Sequence, residues 1–317
     1  MGLVTKKNAL ILLVIIATFV IVQVLRSMNI LTSFHEITIA TICINIILAT
    51  SLNLITGFTG QFSLGHAGFM SIGAYTCGLF LIESPTPVGF ILGILAGGIV
   101  AAIVGVLIGI PTLKLKGDYL AIATLGLAEI IKVIFLNLDI TGGAAGLAGI
   151  PRMATWPWLF FVMVIVVILI NNFIKSSVGR ACIAIREDEI AAESMGVNST
   201  KYKIMVFSLG AFFAGVAGAL YAAYFYFLKP TSFGFMKSVD ILVMVVLGGL
   251  GSLTGSVMAA ILLSLLTTFL QEFTGVRMIL YALVLVVLMI FRPKGLMGTL
   301  EISDLLKNIT GRKGKVE

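Results

Sequence analysis

One long polar segment interrupts this mostly apolar sequence. Between apolar runs at 155–174 and 204–228, residues 176–203 read SSVGRACIAIREDEIAAESMGVNSTKYK. The cations are Arg180, Arg186, Lys201 and Lys203, and the carboxylates are Glu187, Asp188, Glu189 and Glu193. Residues 188–195 have helical composition, with acids in the first turn, where the helix dipole favours them. Gly196 fits the stop that follows such a helix, and Asn198 or Ser199 can cap the next one. Glu189 and Glu193 are one turn apart and can share a side. Ala191 and Ala192 are small enough to let the helix seat closely on another surface. The chemistry available here is recognition. The segment is either a short amphipathic helix that docks at the membrane surface or a solvated loop whose charge sets topology.

A second group is polar in apolar surroundings: Asn45, Asn53, Gln61, Ser63 and His66. Polar groups at membrane depth are costly, so each is a functional candidate. Asn45 and Asn53 are eight apart and share a helix face. Linking helices by hydrogen bonds is the reading for Asn45. A translocation path is the reading for Asn53, Gly57, Gly60, Gln61, Ser63, Gly65 and His66. Glu129 and Lys132 are one turn apart and can pair, although Lys132 can also snorkel outward. Asp240 and Glu272 fall near outer span ends. No unpaired carboxylate stands at mid-bilayer, which argues against a proton- or sodium-coupled carrier. His66 has no second histidine or carboxylate at ligand spacing, and Cys43, Cys77 and Cys182 are scattered, so no metal site or disulfide framework is expected. Two histidines, at 35 and 66, suggest no catalytic constellation, and the string G-x-x-x-x-G-K-[ST] does not occur.

The elements that must position these residues are membrane helices. The 317 residues are 59% hydrophobic and only 11% charged, with mean hydropathy +1.15; soluble domains carry about 25% charge. Runs of roughly 20 apolar residues recur, and the alternating segments of a β-barrel do not. The expected fold is all-α and polytopic, a single transmembrane domain over 1–317. About ten spans are expected: 9–25, 37–56, 69–83, 88–110, 118–137, 155–174, 204–228, 238–250, 256–272 and 276–291. The first reads as a retained span rather than a cleaved signal, because no small-x-small site precedes Arg26. A short tail at 298–317 follows the last.

Orientation follows from the basic residues. With both termini in the cytoplasm, the inner loops hold Lys or Arg at 6, 7, 114, 116, 175, 180, 186, 201, 203, 292, 294, 307, 312, 313 and 315. The outer loops hold them at 26, 152, 229, 237 and 277. This is the asymmetry of the positive-inside rule, so the net charge of +7 reports topology, not nucleic-acid binding. Two glycine-rich stretches, 57–68 and 248–255, are either tight turns or helices broken at membrane depth; non-helical backbone is tolerated there only against protein or a wet cavity. Four spans on each side of 155–174 would suit an inverted repeat.

The segment 176–203 resembles the cytoplasmic coupling segment of ABC-importer permeases. That pattern runs Glu-Ala-Ala, three residues, then Gly. Here Ala191-Ala192, Glu193-Ser194-Met195 and Gly196 keep the spacing, while Ile190 replaces the first Glu, which stands at 189. The longer string GRACIAIREDEIAAESMGVN is similar to branched-chain amino acid permeases of the LivM and LivH type, the LivM type fitting better. Residues 53–75, NLITGFTGQFSLGHAGFMSIGAY, and 141–152, TGGAAGLAGIPR, match that family in the same order.

The resemblance implies a permease subunit of an ABC importer, working by alternating access in a bacterial or archaeal cytoplasmic membrane. It implies Arg180, Arg186, Glu187, Asp188, Glu189, Ala191, Ala192, Glu193 and Gly196 as the ATPase-coupling residues. It also implies a homologous LivH-type permease, two cytoplasmic ATPase subunits and an extracytoplasmic substrate-binding protein as partners. The cargo would be leucine, isoleucine or valine, with urea, other amides or other small amino acids as the alternative. ATP and Mg would be used by the ATPases, and no cofactor by this chain. A stand-alone secondary transporter or channel is the alternative from a different class.

Overall fold

The structure is a computed structural model that describes residues 6–28, 31–113, 115, 117–270, 279, 282–283, 286 and 295–298. The expected span 276–291 and tail 298–317 lie almost wholly outside these residues. Among the described residues there is no named β-strand, only one isolated antiparallel bridge between Leu147 and Leu228.

The helices are α1 (Lys6–Ser27), α2 (Ser33–Thr59), α3 (His66–Glu83), α4 (Pro87–Thr112), α5 (Asp118–Asn137) and α6 (Trp156–Lys175). They continue with α7 (Ser177–Glu187), α8 (Glu189–Ser194), α9 (Ser199–Phe225), α10 (Phe235–Gly248) and α11 (Leu253–Phe269). Among the described residues six helical stretches are long and apolar enough to cross a membrane: α2, α4, α5, α6, α9 and the stretch ending in α10. The chain is a multi-pass helical membrane protein. Its exposed surface agrees, since α1 and α4 present Ile16, Ile21, Ile99 and Leu107 outward, as lipid-facing helices do.

The core is built on α2 and α9, each 27 residues long. Small residues let backbones meet: a Cβ added to Gly73 of α3 would stand 2.0 Å from the Gly215 carbonyl of α9. In lipid, where apolar burial drives little association, such close backbone packing and interhelical hydrogen bonds hold helices together. Asn45 makes a link of this kind, donating from Nδ2 to Ser264 Oγ at 2.9 Å.

The two long helices are followed by similar returns. After α2, the chain turns at left-handed Gly60 and runs back, so that His66 Nε2 lies 2.8 Å from Ser51 Oγ. Ser51 is eight residues before the end of α2, a rise of about 12 Å at 1.5 Å per residue. Thus α3 starts well inside the bundle, as a broken helix does. After α9, the short 3-10 turn Pro230–Phe233 folds back until the Phe233 ring meets the Tyr221 ring at 5.6 Å. The first turns of α3 and α10 then meet, with Ala67 N donating to Ser238 Oγ at 3.1 Å. The other glycine-rich stretch, 248–255, is a tight turn between α10 and α11, with Gly249 and Gly251 at positive φ.

Candidate functional site

The segment 176–203 forms two helices, not the one expected over 188–195. The first, α7, was missed. Ser176 caps it, accepting from Gly179 N at 3.1 Å, and its buried face carries Cys182 and Ile185. Asp188 does not stand in the first turn of the second helix. Its backbone is extended and it is the cap, with Oδ1 accepting from Ile190 N at 2.9 Å and Ala191 N at 3.0 Å. A residue whose side chain competes for backbone N–H groups breaks a helix and starts another. The expected stop at Gly196 is present: φ is +85°, Val197 N donates to Ala192 O at 3.1 Å and Gly196 N to Glu193 O at 2.9 Å, the paired bonds of a Schellman cap. Asn198 then caps α9, accepting from Lys201 N at 3.0 Å.

The charged side chains of this bracket are mostly turned onto the chain itself. Arg180 Nη1 donates to the last carbonyl of α6, at Lys175, at 2.9 Å. Glu189 pairs with Lys203 of α9 at 2.6 Å. Glu193 accepts from Ser199 Oγ. Glu187 is exposed and pairs with Arg186. Ala192 is only 6% exposed. The exposed residues of α8 and its caps are Asp188, Ile190, 78% exposed, Ala191, Glu193, Ser194 and Met195, 85% exposed.

Arg186 reaches furthest. Its Nη1 donates to the Gly57 carbonyl at 2.8 Å. Beside that carbonyl, the 249–252 turn rests on α2. Asn53 holds the turn with three hydrogen bonds: Nδ2 to Ser252 O at 2.8 Å and to Ser256 Oγ at 2.7 Å, and Oδ1 from Gly251 N at 3.0 Å. Gly57 permits the approach, since a Cβ there would stand 2.3 Å from Gly251 N.

Of the other residues taken for the path, Gly60 is exposed at the turn after α2, and the rest are turned into the packing. Gln61 is buried, with Nε2 donating to Lys203 O at 3.3 Å. Ser63 is buried, and its Oγ accepts from Gly65 N at 3.4 Å. Gly65 lies against α5, where an added Cβ would stand 2.6 Å from Thr124 O. His66 is fully buried on Ser51. Together they connect the start of α3 to α2, α5 and α9.

The description "Branched-chain amino acid transport system / permease component" belongs to a family whose model matches residues 35–292, a range that begins in the first turn of α2 and runs past α11, and so holds both the bracket and the return of α3. This chain belongs to that family. It is 37% identical over 289 residues to the Salmonella typhimurium high-affinity branched-chain amino acid transport system permease protein LivM, covering 80% of this chain and 68% of the relative. The Escherichia coli LivM protein is 37% identical over 300 residues, covering 84% of this chain and 70% of the relative. The Escherichia coli LivH protein is 28% identical over 162 residues, about half of each chain. No solved structure matches.

Sequence reasoning missed a further feature of this permease. Lys237, expected in an outer loop, belongs to the first turn of α10, and its Nζ donates to Asn45 Oδ1 at 3.2 Å. It shares a cavity of about 420 Å³ with Glu129, Lys132 and Asp240. Glu129 bonds Lys132, as its spacing predicted, and also accepts from Phe235 N at 3.2 Å. The signal for Lys237 was the short helix beginning three residues earlier than hydropathy placed it, after the Pro230–Phe233 turn.

Proposed function

We propose that this chain is the LivM-type transmembrane subunit of an ABC importer and forms part of the path for leucine, isoleucine and valine. The observation that carries this reading is the family match over residues 35–292, which leaves out α1 but includes the α7–α8 bracket. As a permease family member it is a transport subunit, not an enzyme. ATP and Mg are used by two partner ATPase subunits, and this chain binds no cofactor. A LivH-type permease completes the membrane pair, and a binding protein delivers the cargo from outside. The membrane is the cytoplasmic membrane of a bacterium or archaeon. About ten spans cross it, with both termini and the bracket inside, and the domain is a single permease unit over 1–317.

Closure of the ATPase pair pushes on the bracket at Ile190, Ala191 and Met195. The bracket transmits that motion along two connections. Glu189 and Lys203 tie it to α9, and Arg186 ties it to Gly57 of α2. Asn53, Gly57, Gly60, Gln61, Ser63, Gly65 and His66 then act as the supports of the path rather than its lining. They hold α3, α10 and α11 to α2 while the bundle rocks between its inward and outward forms.

The test is reconstitution. The chain, a LivH-type partner, the two ATPases and the binding protein are placed in vesicles, and uptake of labelled leucine is measured with and without internal ATP. ATP-dependent uptake that disappears when this chain is omitted supports the reading. Uptake driven by an ion gradient with this chain alone would support a secondary transporter and remove the ABC assignment.

A further inference from the structure

The start of α10 stands halfway up the bundle, not at its end. Three bonds place it there. Phe235 N donates to Glu129, the twelfth of 20 residues in α5. Lys237 Nζ donates to Asn45, the thirteenth of 27 in α2. Ser238 Oγ accepts from Ala67 N, in the recessed first turn of α3. With 14 residues, α10 is about 21 Å long at 1.5 Å per residue, too short for a hydrocarbon core of about 30 Å. The chain covers the remaining depth as the irregular stretch 226–234. Non-helical backbone at that depth is tolerated only against protein or beside a wet cavity, and the cavity of about 420 Å³ adjoins it.

Four ionisable side chains line that cavity: Glu129, Lys132, Lys237 and Asp240. Hydropathy placed the last two near an outer span end; the recessed start of α10 carries them to half height. Ionisable groups at membrane depth face a bundle interior or a water-filled cavity, and they mark substrate paths. These open onto the space beside them. The Lys132 and Glu129 side chains are 23% and 36% exposed, and Lys237 and Asp240 are half-buried. Lys132 Nζ also lies over the recessed turn, 3.6 Å from where a Cβ on Gly234 would stand.

The two lysines and two carboxylates sum to zero, so this wall does not gather ions of one sign. It presents opposite charges side by side: Lys132 holds Glu129, and Lys237 and Asp240 are one turn apart on α10. The exposed Phe235 and Met236 line the same space. A free amino acid carries the matching pattern, a carboxylate beside an ammonium, and leucine, isoleucine and valine add an apolar side chain. Urea and other amides carry neither charge. The volume is within the range of small-molecule sites, about 300–1,000 Å³. We propose that this cavity is the stretch of the cargo path at half height and takes a zwitterionic amino acid. The cargo carboxylate meets Lys132 and Lys237, its ammonium meets Glu129 and Asp240, and its side chain lies on Phe235 and Met236. The inference rests on the transport reading and adds to it the lining residues and the choice of amino acid over amide.

The test uses the reconstituted complex of this chain, a LivH-type partner, the two ATPases and the binding protein, importing a diazirine analogue of leucine. The vesicles are illuminated during turnover, and crosslinked peptides are mapped by mass spectrometry. Crosslinks should fall within 231–240 and vanish with excess leucine. Lys132→Gln and Lys237→Gln should each lower crosslinking and uptake at least ten-fold, with ATPase copurification checking assembly. Lys237 also holds Asn45, so Met236→Cys supplies a measure that helix packing alone would not move. Its thiol should react with a membrane-impermeant thiosulfonate in the assembled complex, where the native Cys43, Cys77 and Cys182 are buried. ATP-dependent uptake by wild type with no crosslink in 231–240 overturns the proposal and leaves the transport reading standing. Full uptake and crosslinking in both lysine variants also overturns it, by removing the recognition of charge. A Met236→Cys thiol that the reagent never reaches assigns the cavity to a subunit contact or to lipid and overturns it too. No ATP-dependent uptake by wild type overturns the transport reading, and this inference with it.

Discussion

Arg186 Nη1 donates a 2.8 Å hydrogen bond to the carbonyl oxygen of Gly57, joining residues 129 positions apart. The bond ties the α7–α8 bracket to the last turns of α2, at the point where Asn53 also holds the turn between α10 and α11. A charged donor on a partly buried carbonyl is worth about 1.5–3 kcal/mol. One arginine therefore connects the α7–α8 bracket to three of the bundle's helices.

Arg186→Gln should insert and assemble normally, because Glu189–Lys203 still anchors the bracket to α9. Cargo-stimulated ATP hydrolysis in reconstituted vesicles should fall by roughly ten-fold, the effect of about 1.4 kcal/mol. Unchanged stimulation in this variant would show that the Gly57 contact carries no coupling.

Ile190→Asp and Met195→Asp should abolish copurification of the ATPase while leaving the LivH-type partner bound. A charge placed in an apolar contact is a strong discriminator. Glu189→Gln and Glu193→Gln should leave copurification nearly intact, since both side chains bond to α9. The opposite pattern, with the glutamates decisive, would return the docking surface to the acidic side of α8.

Gly65→Leu should stop uptake and lower the yield of folded protein, since even a Cβ there meets the Thr124 carbonyl at 2.6 Å. Overpacking of this kind costs about 1–3 kcal/mol. Gly126→Ala is the matched control, with nothing within 4 Å of its added Cβ. Wild-type uptake by Gly65→Leu would mean that the return of α3 is not held against α5.

Cys182 should resist maleimide at neutral pH. It is buried on α7, and burial pushes its thiol up to about 11, so the reactive thiolate is scarce. The sign is that labelling rises with pH and becomes fast only toward 11. Faster labelling at pH 7 during ATP turnover would report that α7 lifts from the bundle. Rapid labelling at pH 7 in the resting protein would contradict the packing of α7.

Reporter fusions after 188 should score cytoplasmic, and fusions near 146 and 232 external, because the basic residues fall to one side. An external reporter at 188 would invert the chain and detach the bracket from any ATPase.

The sequence by itself determined the class of this protein and most of its helix positions. Apolar runs of membrane length are a local property, so α2, α4, α5 and α6 begin and end within a few residues of where hydropathy placed them. The Gly196 stop and the Glu129–Lys132 pair were legible for the same reason, since both depend on neighbours within one turn. What lay beyond one turn was decided by tertiary structure. Asp188 caps rather than extends a helix because α7 precedes it, and α7 is held by burying Cys182 and Ile185. Glu189 and Glu193 bond to α9 because that helix places Lys203 and Ser199 beside them. Asn53 binds a turn from the other half of the chain, and the short α10 carries Lys237 to Asn45. Composition shows that a polar group at membrane depth needs a partner; only the packing of distant helices determines which partner it finds.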